Sequence, residues 1–169
     1  MKAAGAILAV AVALALQTTL ARFLVRGSVA VDLVLVAVVY VALSSGPVTG
    51  MLTGTFAGLI QDALSSGVIG IGGLAKTIVG FLAGVIGTQF IVAQPLPRFV
   101  VFFSATLLHA VIFMGLYILL DMRQFDTPYA AALGQAVGNA VVGVVAFQLV
   151  ELLPGAVERR RARSSRLRR

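Results

Sequence analysis

The chain has 169 residues, 60% of them hydrophobic and 11% charged, with a mean hydropathy of +1.05. A soluble domain carries roughly 25% charged and about 45–50% apolar residues, so this composition excludes an ordinary soluble domain and reads as a multi-pass membrane protein. Net charge is +7 and cysteine is absent, which excludes a disulfide framework, a thiolate metal site and a cysteine nucleophile.

A helix needs about 20 mainly apolar residues to cross the hydrocarbon layer. Six stretches qualify, and they predict an all-α integral membrane fold with six transmembrane helices. The first, 3–21, follows Lys2 and ends in "TTLA" before Arg22. It could mimic a secretory signal, but its length and the lack of a small-x-small cleavage pattern favour a spanning helix. The second, 29–43, is short and carries Asp32 and Tyr40. The third, Pro47–Leu64, begins at a Gly-Pro step, and proline is tolerated in a first helical turn. The fourth runs over 70–92, the fifth over 99–120 and the sixth over 128–153. Gly-, Pro-, Ser- or charge-bearing breakers separate them: "RFLVRGS", "SSGP", "SSGVIG", "AQPLPR" and "DMRQFDTP". The expected organisation is a membrane domain, 1–153, and a basic tail, 154–169.

Lys and Arg in short loops set orientation. Six spans put both termini on one side, together with Lys2, Arg98 and the seven arginines from Arg159 to Arg169. The other side holds Arg22, Arg26 and Arg123. Nine against three predicts cytoplasmic termini.

Gly46, just before the third span, and Gly50, Gly54 and Gly58 within it fall at intervals of four, and the next step is Asp62. The fourth carries Gly72, Lys76, Gly80 and Gly84 at the same interval. Lipid offers helices no hydrophobic reason to associate, so they associate by close packing, which small residues permit. Folding the two spans about residue 69 sets Gly58 against Gly80, Gly54 against Gly84, and Asp62 against Lys76. An ionisable group inside a membrane is normally paired or lines a cavity. The Asp62–Lys76 pair is therefore expected as a clasp, or as part of a polar cluster with Asp32. Lys76 lies about 9 Å down its helix at 1.5 Å per residue, so the three could line a shallow outward-facing pocket.

The stretch from "VDLVLVAVVYVALSSGP" through "GMLTGTFAGLIQDALSSG" to "GIGGLAKTIVGFLAG" resembles the central region of the rod shape-determining protein MreD family. The shared pattern is an acid opening a span that holds a tyrosine (Asp32, Tyr40), then a Gly-patterned span ending in Gly58-x-x-x-Asp62 and the Ser66-Gly67 turn. The resemblance implies a bacterial inner-membrane protein of the cell-elongation machinery, the elongasome. It would partner a bitopic MreC-like protein and help link the actin-like MreB filament to peptidoglycan synthesis and the regulation of cell shape. It also implies a fold similar to the substrate-binding subunits of energy-coupling-factor transporters, and no enzymatic activity. The alternative function is a substrate-binding membrane subunit of a small-molecule (vitamin) transporter.

Other polar residues admit a bland and a sharp reading. His109 is the single histidine. It could relay a proton or touch a ligand, but a hydrogen-bonded structural histidine facing the bundle fits its apolar surroundings better. Gln135 and Asn139 share a helix face, and amides in a span usually bond to a neighbouring helix; a pocket or partner contact is the second reading. The tail arginines, with Arg159, Arg160, Arg161 and Arg163 foremost, follow directly on a span and lack interleaved aromatics. That favours anionic lipid over a protein partner and argues against nucleic acid. One histidine, six scattered acids and no cysteine give no convergent catalytic set and imply no cofactor or metal.

Overall fold

A computed structural model describes residues 3–23, 31–65, 68–90, 94–120 and 128–166. Six helices follow one another: α1 (Ala3–Phe23), α2 (Leu33–Ser45), α3 (Pro47–Leu64), α4 (Ile71–Gln89), α5 (Pro95–Leu119) and α6 (Pro128–Arg166). Three segments are long and apolar enough to cross a membrane: Ile71–Gln89, Pro95–Leu119 and Tyr129–Leu152. Ala4–Thr19 and Leu33–Ser45 are apolar but shorter. Large apolar side chains, including Ile7, Phe56, Phe81, Val111 and Leu149, point outward. An apolar exterior of that extent suits lipid as the surrounding solvent.

The shortest helix is the centre. α2 reads LVLVAVVYVALSS, apolar on every side, and a helix of that kind is buried all round. Val34 to Val39, Val41 and Ala42 are buried, and each of the other five helices touches α2. On one side Phe102 of α5 fills the space beside Gly143 of α6, where a Cβ would lie 2.6 Å from the ring. Phe147 of α6 packs between Tyr40, tilted at 4.5 Å, and Phe102, edge-on at 6.1 Å. Below it, Arg98 is buried with its guanidinium 4.5 Å over the Phe147 ring and ion-paired to Glu151. Arg98, expected as a loop charge, thus closes the α5–α6 contact from within α5.

α3 and α4 make the most intimate contact, and glycine is the reason. Gly46, at φ +90°, ends α2 by donating its N–H to the Ala42 carbonyl and delivers the chain to Pro47 at the start of α3. Along the hairpin a Cβ on Gly58 would lie 2.6 Å from Gly73 Cα, and one on Gly84 would lie 2.5 Å from Pro47 N. Backbone meets backbone, as expected of small residues in lipid. Thr55 and Thr77 add a hydroxyl–hydroxyl bond of 2.8 Å across the same interface.

The register differs from expectation. Gly58 faces Gly73 rather than Gly80, and Gly54 faces the backbone of Lys76 rather than Gly84. This is a slide of about two helical turns, roughly 12 Å. The reversal centres near Ser65, not residue 69, because α3 stops there: Ser65 N–H bonds the Gln61 and Asp62 carbonyls, and its hydroxyl bonds Gln61 O at 2.6 Å. The Asp62–Lys76 clasp is accordingly absent. Asp62 accepts from the backbone N–H groups of Gly70 (2.9 Å) and Gly73 (3.0 Å) instead. Gly70 is the N-cap of α4 and has no side chain to cap with. The first N–H groups of a helix need acceptors, and a carboxylate there also complements the helix dipole. Asp62 supplies the cap from the neighbouring helix.

The last helix runs unbroken to Arg166, so the tail expected from 154 begins as helix. The side chains of Arg159, Arg160, Arg161 and Arg163 lie outside the described residues. So do those of Arg22, Arg26 and Arg123, on which the orientation count rests.

Candidate functional site

α2 has 13 residues, a rise of about 20 Å against a hydrocarbon layer of about 30 Å. Asp32, Val34 and Leu35 at its amino end are buried by the other helices, so the unpaired N–H groups of its first turn need acceptors from the protein. The side chains that meet those groups form the candidate site. Asp32 is the N-cap and accepts the Leu35 N–H on Oδ1 at 3.0 Å. Asn139 of α6 accepts the Asp32 N–H at 2.8 Å. Gln17 of α1 accepts the Leu33 N–H at 2.8 Å and donates to the Val31 carbonyl at 3.1 Å.

α3 and α4 reach the Asp32 carboxylate, and α5 reaches Lys76 beside it. Lys76 of α4 places Nζ 3.0 Å from Oδ2. Gln61 of α3 directs Nε2 at Oδ1 over 3.4 Å, a weak contact by hydrogen-bond standards. His109 of α5 brings Nε2 to 3.2 Å from Lys76 Nζ and stacks on Phe113 at 5.7 Å. Asn139 also donates to Thr106 Oγ1 at 3.1 Å, and Thr106 donates to the Phe102 carbonyl. All six helices therefore contribute a polar group to one hub around the start of α2.

The hub is closed. Asp32, Lys76 and His109 are 5%, 3% and 6% exposed, so the shallow open pocket expected around Asp32, Asp62 and Lys76 is not formed. Two of the three residues do meet; the third, Asp62, serves the start of α4. Truncating one partner of a buried pair leaves an unpaired charge and costs about 3–5 kcal/mol, which makes Asp32–Lys76 a strong constraint on how α2 and α4 sit. Two buried polar atoms near the pair have no hydrogen-bond partner: His109 Nδ1 and Gln61 Oε1. No cluster of His, Cys, Asp or Glu with metal-binding geometry occurs among the described residues.

His109 faces the bundle as a structural histidine should, yet its place beside Lys76 was not foreseen, because its partner lies on another helix. Gln17, Gln61 and Thr106 were missed as hub members. The usable signal was that Gln17 and Gln61 are amides within otherwise apolar helices. Of the amide pair on α6, Asn139 is fully buried in the hub and Gln135 is half-buried one turn earlier.

Among known families, the profile described as rod shape-determining protein MreD matches residues 3–154. No curated protein and no solved structure matches the chain.

Proposed function

We propose that this chain, which belongs to the rod shape-determining protein MreD family, is a non-enzymatic membrane scaffold of the bacterial cell-elongation machinery. The observation that carries the reading is the extent of the family match, which takes in all but the ends of the chain. The family is one of shape-determining structural membrane proteins. Within that role the chain would hold a bitopic MreC-like partner in the inner membrane and so connect the cytoskeleton to peptidoglycan synthesis. Both termini would face the cytoplasm, by the nine-to-three basic count, and the tail arginines would sit against anionic lipid.

The physical support is the character of the bundle. α2 is locked at its amino end by polar bonds from α1, α3, α4 and α6, and the α3–α4 hairpin is locked by backbone contact. A rigid body of this kind offers a fixed surface to a partner's single membrane helix, and pre-formed surfaces bind with less ordering cost. The test is depletion of the chain in its own rod-shaped host, followed by affinity purification of a tagged copy that restores growth. Rounding of depleted cells and co-purification of a single-span coiled-coil protein support the scaffold. Cells that stay rod-shaped, with a small molecule bound in the purified bundle, would favour the transporter-subunit reading and end this one.

A further inference from the structure

The contacts of the hub decide which nitrogen of its imidazole carries the proton. The Lys76 ammonium has three donors and no acceptor. It stands 3.2 Å from His109 Nε2, so that nitrogen must offer its lone pair. The ring proton of a neutral His109 then belongs on Nδ1, the atom that is buried and has no partner. The residue is nine-tenths buried and spends its one donor on nothing.

A second proton on this ring has only Nε2 to occupy. An imidazolium is a donor at both nitrogens, so its Nε2–H would point at the Lys76 ammonium. Two cations would then share one carboxylate, that of Asp32. The other groups around the ring offer no relief. α1 and α6 bring amides, Gln17 and Asn139. The acid on α3, Asp62, has its carboxylate on the Gly70 and Gly73 N–H groups. On α5 itself the ring meets Phe113.

We propose that the hub is a proton-sensitive lock on α2. With neutral His109, the Asp32–Lys76–His109 chain ties α2 to α4 and α5. Acid favours the arrangement in which the Lys76 contact is broken and the released imidazole takes a proton on Nε2, so acidification loosens the amino end of α2 from the bundle. The lock is a property of the bundle and does not depend on the scaffold reading.

The chain has a single histidine and no cysteine, which makes the test direct. Protein labelled with ¹⁵N-histidine and purified without a histidine tag gives one imidazole. At about pH 8, its nitrogen shifts should report the Nδ1–H tautomer; the Nε2–H tautomer would overturn the proposal. The thermal midpoint of the same protein in detergent is then compared at about pH 8 and about pH 5, either side of the ordinary value near 6.5 of an imidazole released from the hub. It should fall by about 3 °C or more on acidification. In His109→Gln, whose side-chain oxygen can still accept from Lys76, the fall should disappear. A flat wild-type profile overturns the lock. A fall that persists in His109→Gln also overturns it, because the proton would then be landing elsewhere, with Asp32 the nearest candidate. The tautomer measurement stands alone if the variant fails to fold.

Discussion

Gly54→Ala is the sharpest test of the hairpin, because it adds one methyl group to a backbone-on-backbone contact. A Cβ at Gly54 would lie 2.6 Å from the Lys76 carbonyl carbon and 3.0 Å from Thr77 N, where ordinary contact is 3.4–4 Å. The obstacle is the backbone of a helix and cannot swing aside. α3 and α4 must therefore part by about 1 Å at that point, and a gap of 0.5–1 Å already forfeits roughly a quarter to a half of each dispersion contact it opens. Overpacking of this kind costs about 1–3 kcal/mol. Gly115→Ala on α5 is the control: a Cβ there meets nothing within 4 Å. Both substitutions gain the same helix preference of alanine over glycine, up to about 1 kcal/mol, so it cancels in the comparison. At about 2–4 °C per kcal/mol for a chain of this size, Gly54→Ala should melt roughly 2–12 °C below Gly115→Ala in detergent. Equal midpoints would refute the close approach of the two helices, and with it the explanation of the glycine rows.

Two further outcomes follow from the capping and hub geometry. Gly72→Ala would push a Cβ into the Asp62 carboxylate and should cost about 1 kcal/mol or more as the α4 cap is lost. In an Asp62→Ala background most of that penalty should vanish, which thermal midpoints of the four proteins would show as non-additivity. Asn139→Leu removes the acceptor of the buried Asp32 N–H and should destabilise by about 1–3 kcal/mol. Gln135→Leu, one turn away and half-buried, should stay within about 0.5 kcal/mol of the parent by the same measurement.

Most helix limits were legible from the sequence because local signals bound them; α6 is the exception, running to Arg166 past the expected end at 153. Pro47–Leu64 emerged with its limits intact, since Gly46-Pro47 starts it and the apolar run ends at "SSG". The short second span shifted to Leu33–Ser45 because Asp32 is a cap and not an interior residue, a distinction that apolarity alone does not draw. The glycine interface was legible too, because small residues in a lipid-embedded helix have few uses other than contact. What failed was register. Both glycine rows repeat every four residues, so a slide of two turns sets glycine against glycine or bare helix backbone just as well. The choice was made by the unpaired N–H groups of Gly70 and Gly73, which drew Asp62 to the start of α4 and left Lys76 for Asp32. Asn139, Gln17 and His109 joined the hub through contacts 14 to 107 residues apart, which no local pattern encodes.

The buried Lys76 of α4 answers to the acid at the start of α2 and not to the acid on α3. Two double-mutant cycles measured by thermal unfolding decide it. In the first, Lys76→Met and Asp32→Asn should each cost about 3–5 kcal/mol, and the pair together should cost far less than their sum. In the second, Lys76→Met and Asp62→Asn should add to within about 0.5 kcal/mol. Strong coupling of Lys76 to Asp62, with additivity toward Asp32, would contradict the account.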